Sequence, residues 1–164
     1  MLKSSFAILF VSLIVTTGCC KKKLYCNPDG LTIIITGYPR LDVRNIIVKK
    51  YATGNHRKAL DSTTFIYSGT EPIVLNKKDT LVFKDYSTTS TTISGVYQGN
   101  DWDIYLPGTP GRENYRVTSI VDAEHRFEMI RCSDHDTKCL NPIGHFVVND
   151  NWKQGDTLWI EKKK

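Results

Sequence analysis

Apolar and polar residues alternate along this chain with a period near two, in short bursts broken by Gly, Pro, Asn and Asp. Leu31–Thr36, LTIIIT, is a nearly continuous apolar run that stops at Gly37. Arg44–Tyr51 sets Ile46 and Val48 on one face and Ile47 on the other, and closes at ATGN. Thr64–Ser68 ends at Gly69, and Asp79–Asp85 puts Leu81 and Phe83 on a common face. Thr91–Tyr97 leads through QGN into Asp101–Pro107, a spacing that predicts a hairpin. Asn114–Val121 and His125–Cys132 flank DAE as a second predicted hairpin, and His145–Val148 and Asp156–Glu161 complete the set. Asp79 and Asp156 stand where an Asx side chain caps the turn before a strand.

The alternation is clearest in DWDIYL. Trp102, Ile104 and Leu106 share one face, and Asp101, Asp103 and Tyr105 share the other. The apolar face reads as core and the carboxylates as solvent-facing. No window carries a 3.6-residue period of helical length. Ten short strands with polar turns predict an all-β fold, an antiparallel β-sandwich of immunoglobulin-like or transthyretin-like topology spanning residues 31–161 as one domain.

The first thirty residues follow another logic. Lys3 precedes an uncharged apolar run, Phe6–Val15. Ten residues are too few to cross a hydrocarbon core as a helix, which takes about 20, but they suit the apolar region of a secretory signal peptide. The run ends in small residues and then TTGC, Thr16–Cys19. This stretch resembles the lipobox of bacterial lipoproteins, with Thr16 standing where the family usually has Leu. In that family the cysteine after the cut carries acyl chains such as palmitate. The resemblance implies a signal peptide over residues 1–18, lipid on Cys19, and a tether over residues 19–30. Some Bacteroidota lipoproteins are sent to the cell surface by acidic residues just after the lipidated cysteine. Here that place is taken by Lys21–Lys23, which implies a protein of the bacterial cell envelope, held by lipid at the outer membrane and facing the periplasm. The three lysines read as a solvated linker that also approaches anionic headgroups.

Charge narrows the partners. The formal net charge is +5, with 22 basic and 17 acidic residues. Lys3 and the two triplets Lys21–Lys23 and Lys162–Lys164 account for seven of the basic ones. Residues 24–161 therefore hold 15 basic against 17 acidic residues. The alkaline balance belongs to the tails, including a basic tail at 162–164, and argues against nucleic acid as a partner.

With Cys19 acylated, Cys20, Cys26, Cys132 and Cys139 remain for disulfides, the default in an oxidising compartment. A local Cys132–Cys139 bridge, closing CSDHDTKC, is the favoured pairing. The competing one ties Cys26 to one member of that distant pair. The same loop admits a metal reading through Cys132, His135, Asp136 and Cys139, crowded into eight residues of one loop.

Catalytic motifs are few. Asp101 and Asp103 form the carboxylate pair that a hydrolase acting on glycosidic bonds would need, although such pairs face each other across a cleft rather than along one strand. No G-x-S-x-G elbow, phosphate-cradling glycine loop or haem signature occurs. The chain therefore reads as a binding or scaffolding protein more than an enzyme, with no cofactor. An envelope protein or a glycan is the expected partner, and Tyr97, Tyr105 and Trp152, the turn Pro107–Gly111 and the Cys132–Cys139 loop are the candidate surfaces. Three D-S/T-T/L triplets, at Asp61, Asp79 and Asp156, match a short O-glycosylation pattern of Bacteroidota periplasmic proteins. Those at Asp79 and Asp156 are equally explained as strand entries.

Overall fold

The computed structural model describes residues 21–66, 80–83, 93–131 and 139–162. The Ser87–Thr92 patch lies outside them. Every regular element among the described residues is a strand: β1 (Lys21–Tyr25), β2 (Asn27–Pro28), β3 (Thr32–Thr36), β4 (Asn45–Tyr51), β5 (Asp61–Ile66), β6 (Thr80–Phe83), β7 (Asp101–Leu106), β8 (Glu113–Asp122), β9 (Phe127–Arg131), β10 (Leu140–Asn141), β11 (Ile143–Val148), β12 (Asn151–Gln154) and β13 (Thr157–Glu161). The chain forms two compact units, one of residues 1–26 with 126–139 and one of residues 27–125 with 140–164.

The larger unit is a β-sandwich. Its main sheet has six strands in the order β12-β11-β8-β7-β4-β5, each antiparallel to its neighbours. The second sheet has three strands, β13-β3-β6. Ile33, Ile35, Leu158 and Ile160 of the small sheet share a core with Ile46, Val48, Trp102, Ile104, Leu106, Val117, Ile120, Phe146 and Val148 of the large one. Ile104, Phe146 and Ile160 are fully buried, and each such side chain contributes about 1.5–3 kcal/mol by leaving water. The inward and outward sets read from β4 and β7 are those that the sheet uses.

Strand β8 needs one irregularity to join this core. Val117 and Ile120 both point inward, yet they lie three residues apart, and a regular strand would turn them to opposite faces. Ser119 adopts a φ of 50°, and the pairing of β8 with β11 shifts register there. The bulge absorbs the extra residue. The β11–β12 hairpin turns on Asn149 and Asp150, both left-handed, as a two-residue turn matched to strand twist requires.

Several expectations are corrected. Residues 93–97 are not a strand; Ile93 and Val96 are buried, and the Leu31 amide donates to the Val96 carbonyl at 2.8 Å. No hairpin forms there because both edges of β7 are taken, by β4 and β8. Nor does Phe127–Arg131 fold back on β8, whose second edge belongs to β11. Phe146 and Val148 of β11 extend the buried face, whereas Phe127 and Met129 of β9 are exposed and Ile130 is the strand's one buried residue. The sheets are also not wholly antiparallel, since β13 runs parallel to β3. Parallel neighbours need a long crossover, and here nearly the whole larger unit lies between them in sequence.

The smaller unit holds the antiparallel ribbon β1–β9. Lys21–Lys23, read as linker, is its first strand. This unit also holds a disulfide between Cys26 and Cys139, with Cα atoms 4.7 Å apart and a sequence separation of 113. The expected Cys132–Cys139 bridge is thereby corrected, since Cys139 has no second bond to give. Each bridged cysteine directly precedes a member of the parallel pair Asn27↔Leu140, so the register that aligns those residues also brings the thiols opposite each other.

Closing a loop of this length constrains the unfolded chain by about 4–5 kcal/mol on chain-entropy grounds. Cys26→Ser is expected to lose stability of that order in urea unfolding, and the oxidised chain is expected to show no alkylation at Cys139.

Candidate functional site

The outer face of the six-stranded sheet carries the two carboxylates singled out in the sequence. They are not solvent-facing. Asp101 is 3% exposed and Asp103 6%, and the connection between β4 and β5, residues 52–60, is bonded across the Asp101 end of β7. Gly54, at φ +73°, turns its amide onto Asp101 Oδ2 at 2.7 Å. His56 Nε2 lies 3.1 Å from the same oxygen, and the His56 ring stands 5.2 Å from that of buried Tyr51. Thr53 Oγ1 donates to the Gly99 carbonyl at 3.2 Å and fixes the connection a second time.

Asp103 is satisfied by a neighbouring strand. It sits directly opposite Arg116 in the β7–β8 register, and Arg116 Nε donates to its Oδ1 at 3.0 Å. That bond holds the guanidinium above its ordinary pKa. Burial holds the Tyr51 phenol above its ordinary value, with the charge and hydrogen bond of Asp103 adding to it. Asp101 and Asp103 thus each take charge-assisted or backbone donors that would otherwise be stranded. Two carboxylates already engaged and closed off from solvent have no face left for a substrate. His56 Nδ1 is itself buried with no hydrogen-bond partner, and its Nε2 is engaged by Asp101. The arrangement clamps the 52–60 connection to the sheet.

Two further polar clusters occupy the larger unit. Tyr38 and Tyr115 each donate to Glu113 Oε2 at 2.5 Å, and their hydroxyls lie 3.3 Å apart. Burial first, and the Glu113 carboxylate second, raise both phenols above the usual tyrosine range. Near the other end of β8, Asp122 accepts from Gln98 Nε2 at 2.8 Å. Burial raises its carboxyl above the ordinary range; the His125 charge and the donors Asn141 and Gln98 oppose the shift, and the Asp29 carboxylate adds to it.

The candidate binding residues do not converge. Tyr97 is half-buried, and its carbonyl accepts from the Trp102 indole at 2.9 Å. Tyr105 lies on β7 between Ile47 and Asn114. Trp152 is 59% exposed on β12, with its ring 5.8 Å from that of His145. In the sheet order β12 is three strands from β7, about 14 Å at the usual strand spacing. The Pro107–Gly111 turn is tied down by Thr109, whose hydroxyl donates to the Leu106 carbonyl and accepts the Glu113 amide. A Cβ on Gly108 would meet the Asp42 carbonyl oxygen at 2.5 Å. Cys19, Cys20, Cys132, His135 and Asp136 lie outside the described residues. With Cys139 in a disulfide, the ligand set Cys132, His135 and Cys139 is corrected, because a bridged sulfur is not a thiolate. Among the described residues no group of three or more His, Cys, Asp or Glu side chains is placed to hold a metal ion.

Sequence reasoning missed Gly54, His56, Tyr51 and Arg116 as partners of the carboxylates. Their association depends on strand register and on a fold-over of the chain, neither of which leaves a local motif. No family model matches the chain, and no curated protein or solved structure matches it.

Asp101→Ala leaves the Gly54 amide and His56 Nε2 without their acceptor and is expected to cost about 1–2 kcal/mol in denaturant unfolding; a carboxylate kept for catalysis would give an unchanged midpoint. Asp122 behaves oppositely. Its folded pKa lies above the unfolded value, so the native state holds the proton more tightly and stability falls as pH rises from about 4 through the folded pKa. Asp122→Asn is therefore expected to be more stable than the parent at pH 7. The difference should vanish near pH 3, as read from urea midpoints at the two pH values.

Proposed function

We propose that the chain is a lipoprotein of the bacterial cell envelope, held in the outer membrane through acylated Cys19, and that its β-sandwich serves as a binding or scaffolding module in the periplasm. The observation that carries the anchoring is the order of signals in the first 23 residues: Lys3, the apolar run Phe6–Val15, TTGC and then Lys21–Lys23. Acyl chains at about 0.8 kcal/mol per buried methylene hold a small body stably once two or more are attached.

A binding role is supported by how the polar residues are used. Asp101 and Asp103 are committed to Gly54, His56 and Arg116. The exposed resources are instead edges and rings. Strand β12 ends the six-stranded sheet, and an edge strand can take up an extended segment by adding it to the ladder. Trp152 on that edge, beside His145, offers an aromatic face suited to a sugar ring or a protein side chain.

Expressed in a bacterial host, the full chain is expected in the membrane fraction with an acylated N-terminal peptide at Cys19. Cys19→Ser should leave only a salt-sensitive association, so that a high-salt wash moves the variant to the soluble periplasmic fraction. Membrane association of that variant that survives a high-salt wash, or an unmodified Cys19 in the parent, would remove the proposal.

A further inference from the structure

The ribbon β1–β9 has two unlike faces. Cross-strand partners share a face, and the register pairs Lys21 with Arg131, Lys23 with Met129, and Tyr25 with Phe127. These six side chains form one face. The other carries Lys22, Leu24, Glu128 and Ile130, of which Ile130 is buried. On the first face Tyr25 is 69% exposed, Met129 58% and Phe127 49%. Lys23 Nζ stands 3.7 Å from the centre of the Phe127 ring and 5.0 Å from that of Tyr25, and the two rings are 6.5 Å apart. The face thus joins two aromatic rings and a thioether to three cationic side chains, and none of its six residues is acidic.

We infer that this face is a membrane-contact surface for anionic phospholipid. The inference rests on the proposed acylation of Cys19 for its geometry. Lys21 follows Cys19 by two residues, so their Cα atoms are at most about 7 Å apart. That is shorter than the Debye length of about 8 Å at physiological salt. A chain lipidated at Cys19 enters β1 within reach of the headgroups, with one residue between the lipid-bearing cysteine and the ribbon. Tyr rings settle at the level where headgroup meets hydrocarbon. Lysine and arginine stems lie along apolar surface while their charges stay among phosphates. The mixed face meets both demands, and the lipid anchor and the ribbon together would set the orientation of the smaller unit on the bilayer rather than merely its attachment.

The test uses residues 19–164 carrying Cys19→Ser, exported so that the Cys26–Cys139 bridge forms, and vesicles of phosphatidylglycerol with phosphatidylcholine or of phosphatidylcholine alone. Because this chain bears no lipid, the result stands apart from whether Cys19 is acylated in cells. Flotation with anionic vesicles, lost on pure phosphatidylcholine and weakened by salt, is expected. Lys21→Gln with Lys23→Gln should weaken partition about thirtyfold, at about 1 kcal/mol per lysine near an anionic surface. Tyr25→Ser with Phe127→Ser should weaken it at least tenfold. Lys163→Gln with Lys164→Gln, in the basic tail, should leave it unchanged. An intact bridge by mass and an unaltered unfolding midpoint identify each variant as folded. No binding to anionic vesicles, or equal losses from ribbon and tail substitutions, would overturn the inference. So would retention on immobilised polyglutamate without vesicle binding, which would assign the face to an acidic protein partner.

Discussion

Burial of Asp101 and Asp103 on strand β7 is the constraint to which the outer face of the large sheet answers. Both edges of β7 are paired, and its inward face sits in the core, so the strand cannot move to expose its acids. An uncompensated carboxylate in that position would cost several kcal/mol. The surrounding structure supplies donors from every side. The backbone of Gly54 and the ring of His56 arrive from the β4–β5 connection, and Arg116 arrives from the adjacent strand. Tyr51, at the end of β4, closes the cluster. The path of residues 52–60 is thus tied to Asp101, which lies 47 residues beyond Gly54 in sequence.

That constraint also separates ornament from chemistry. Paired carboxylates on one strand invite a hydrolytic reading, but a reacting carboxylate needs an open side and here both are spent on structure. The exposed features of this chain have a different character. Among the described residues they include rings and cations on the ribbon β1–β9, and an indole beside an imidazole on an edge strand. We propose these for contact with surfaces, one lipid and one macromolecular. The acyl anchor proposed at Cys19 and the ribbon lie only two residues apart, which makes attachment and orientation parts of one arrangement.

The disulfide shows how a local expectation fails. Cys132 and Cys139 are close in sequence, and loop closure favours near partners while the chain is unfolded. The pairing of Asn27 with Leu140 overrides this, because it sets Cys26 and Cys139 side by side. The β8 bulge is similar. Val117 and Ile120 belong to one face through a φ of 50° at Ser119, and no residue of NYRVTSIV announces it.

By itself, the sequence determined the all-β class, the location of most strands in the larger unit, and which residues of β4 and β7 face the core. These follow from a period-two pattern, which is a property of neighbours in the chain. It also carries the signal-like N-terminus and the surplus of lysine in the tails. Only the tertiary structure decided which strands pair, that β13 lies parallel to β3, that Lys21–Tyr25 is a strand, and that Asp101 and Asp103 are buried. Alternation tells which side of a strand is apolar, but it is blind to what covers the other side. That depends on contacts between residues tens of positions apart, and their register is settled only when the sheets assemble.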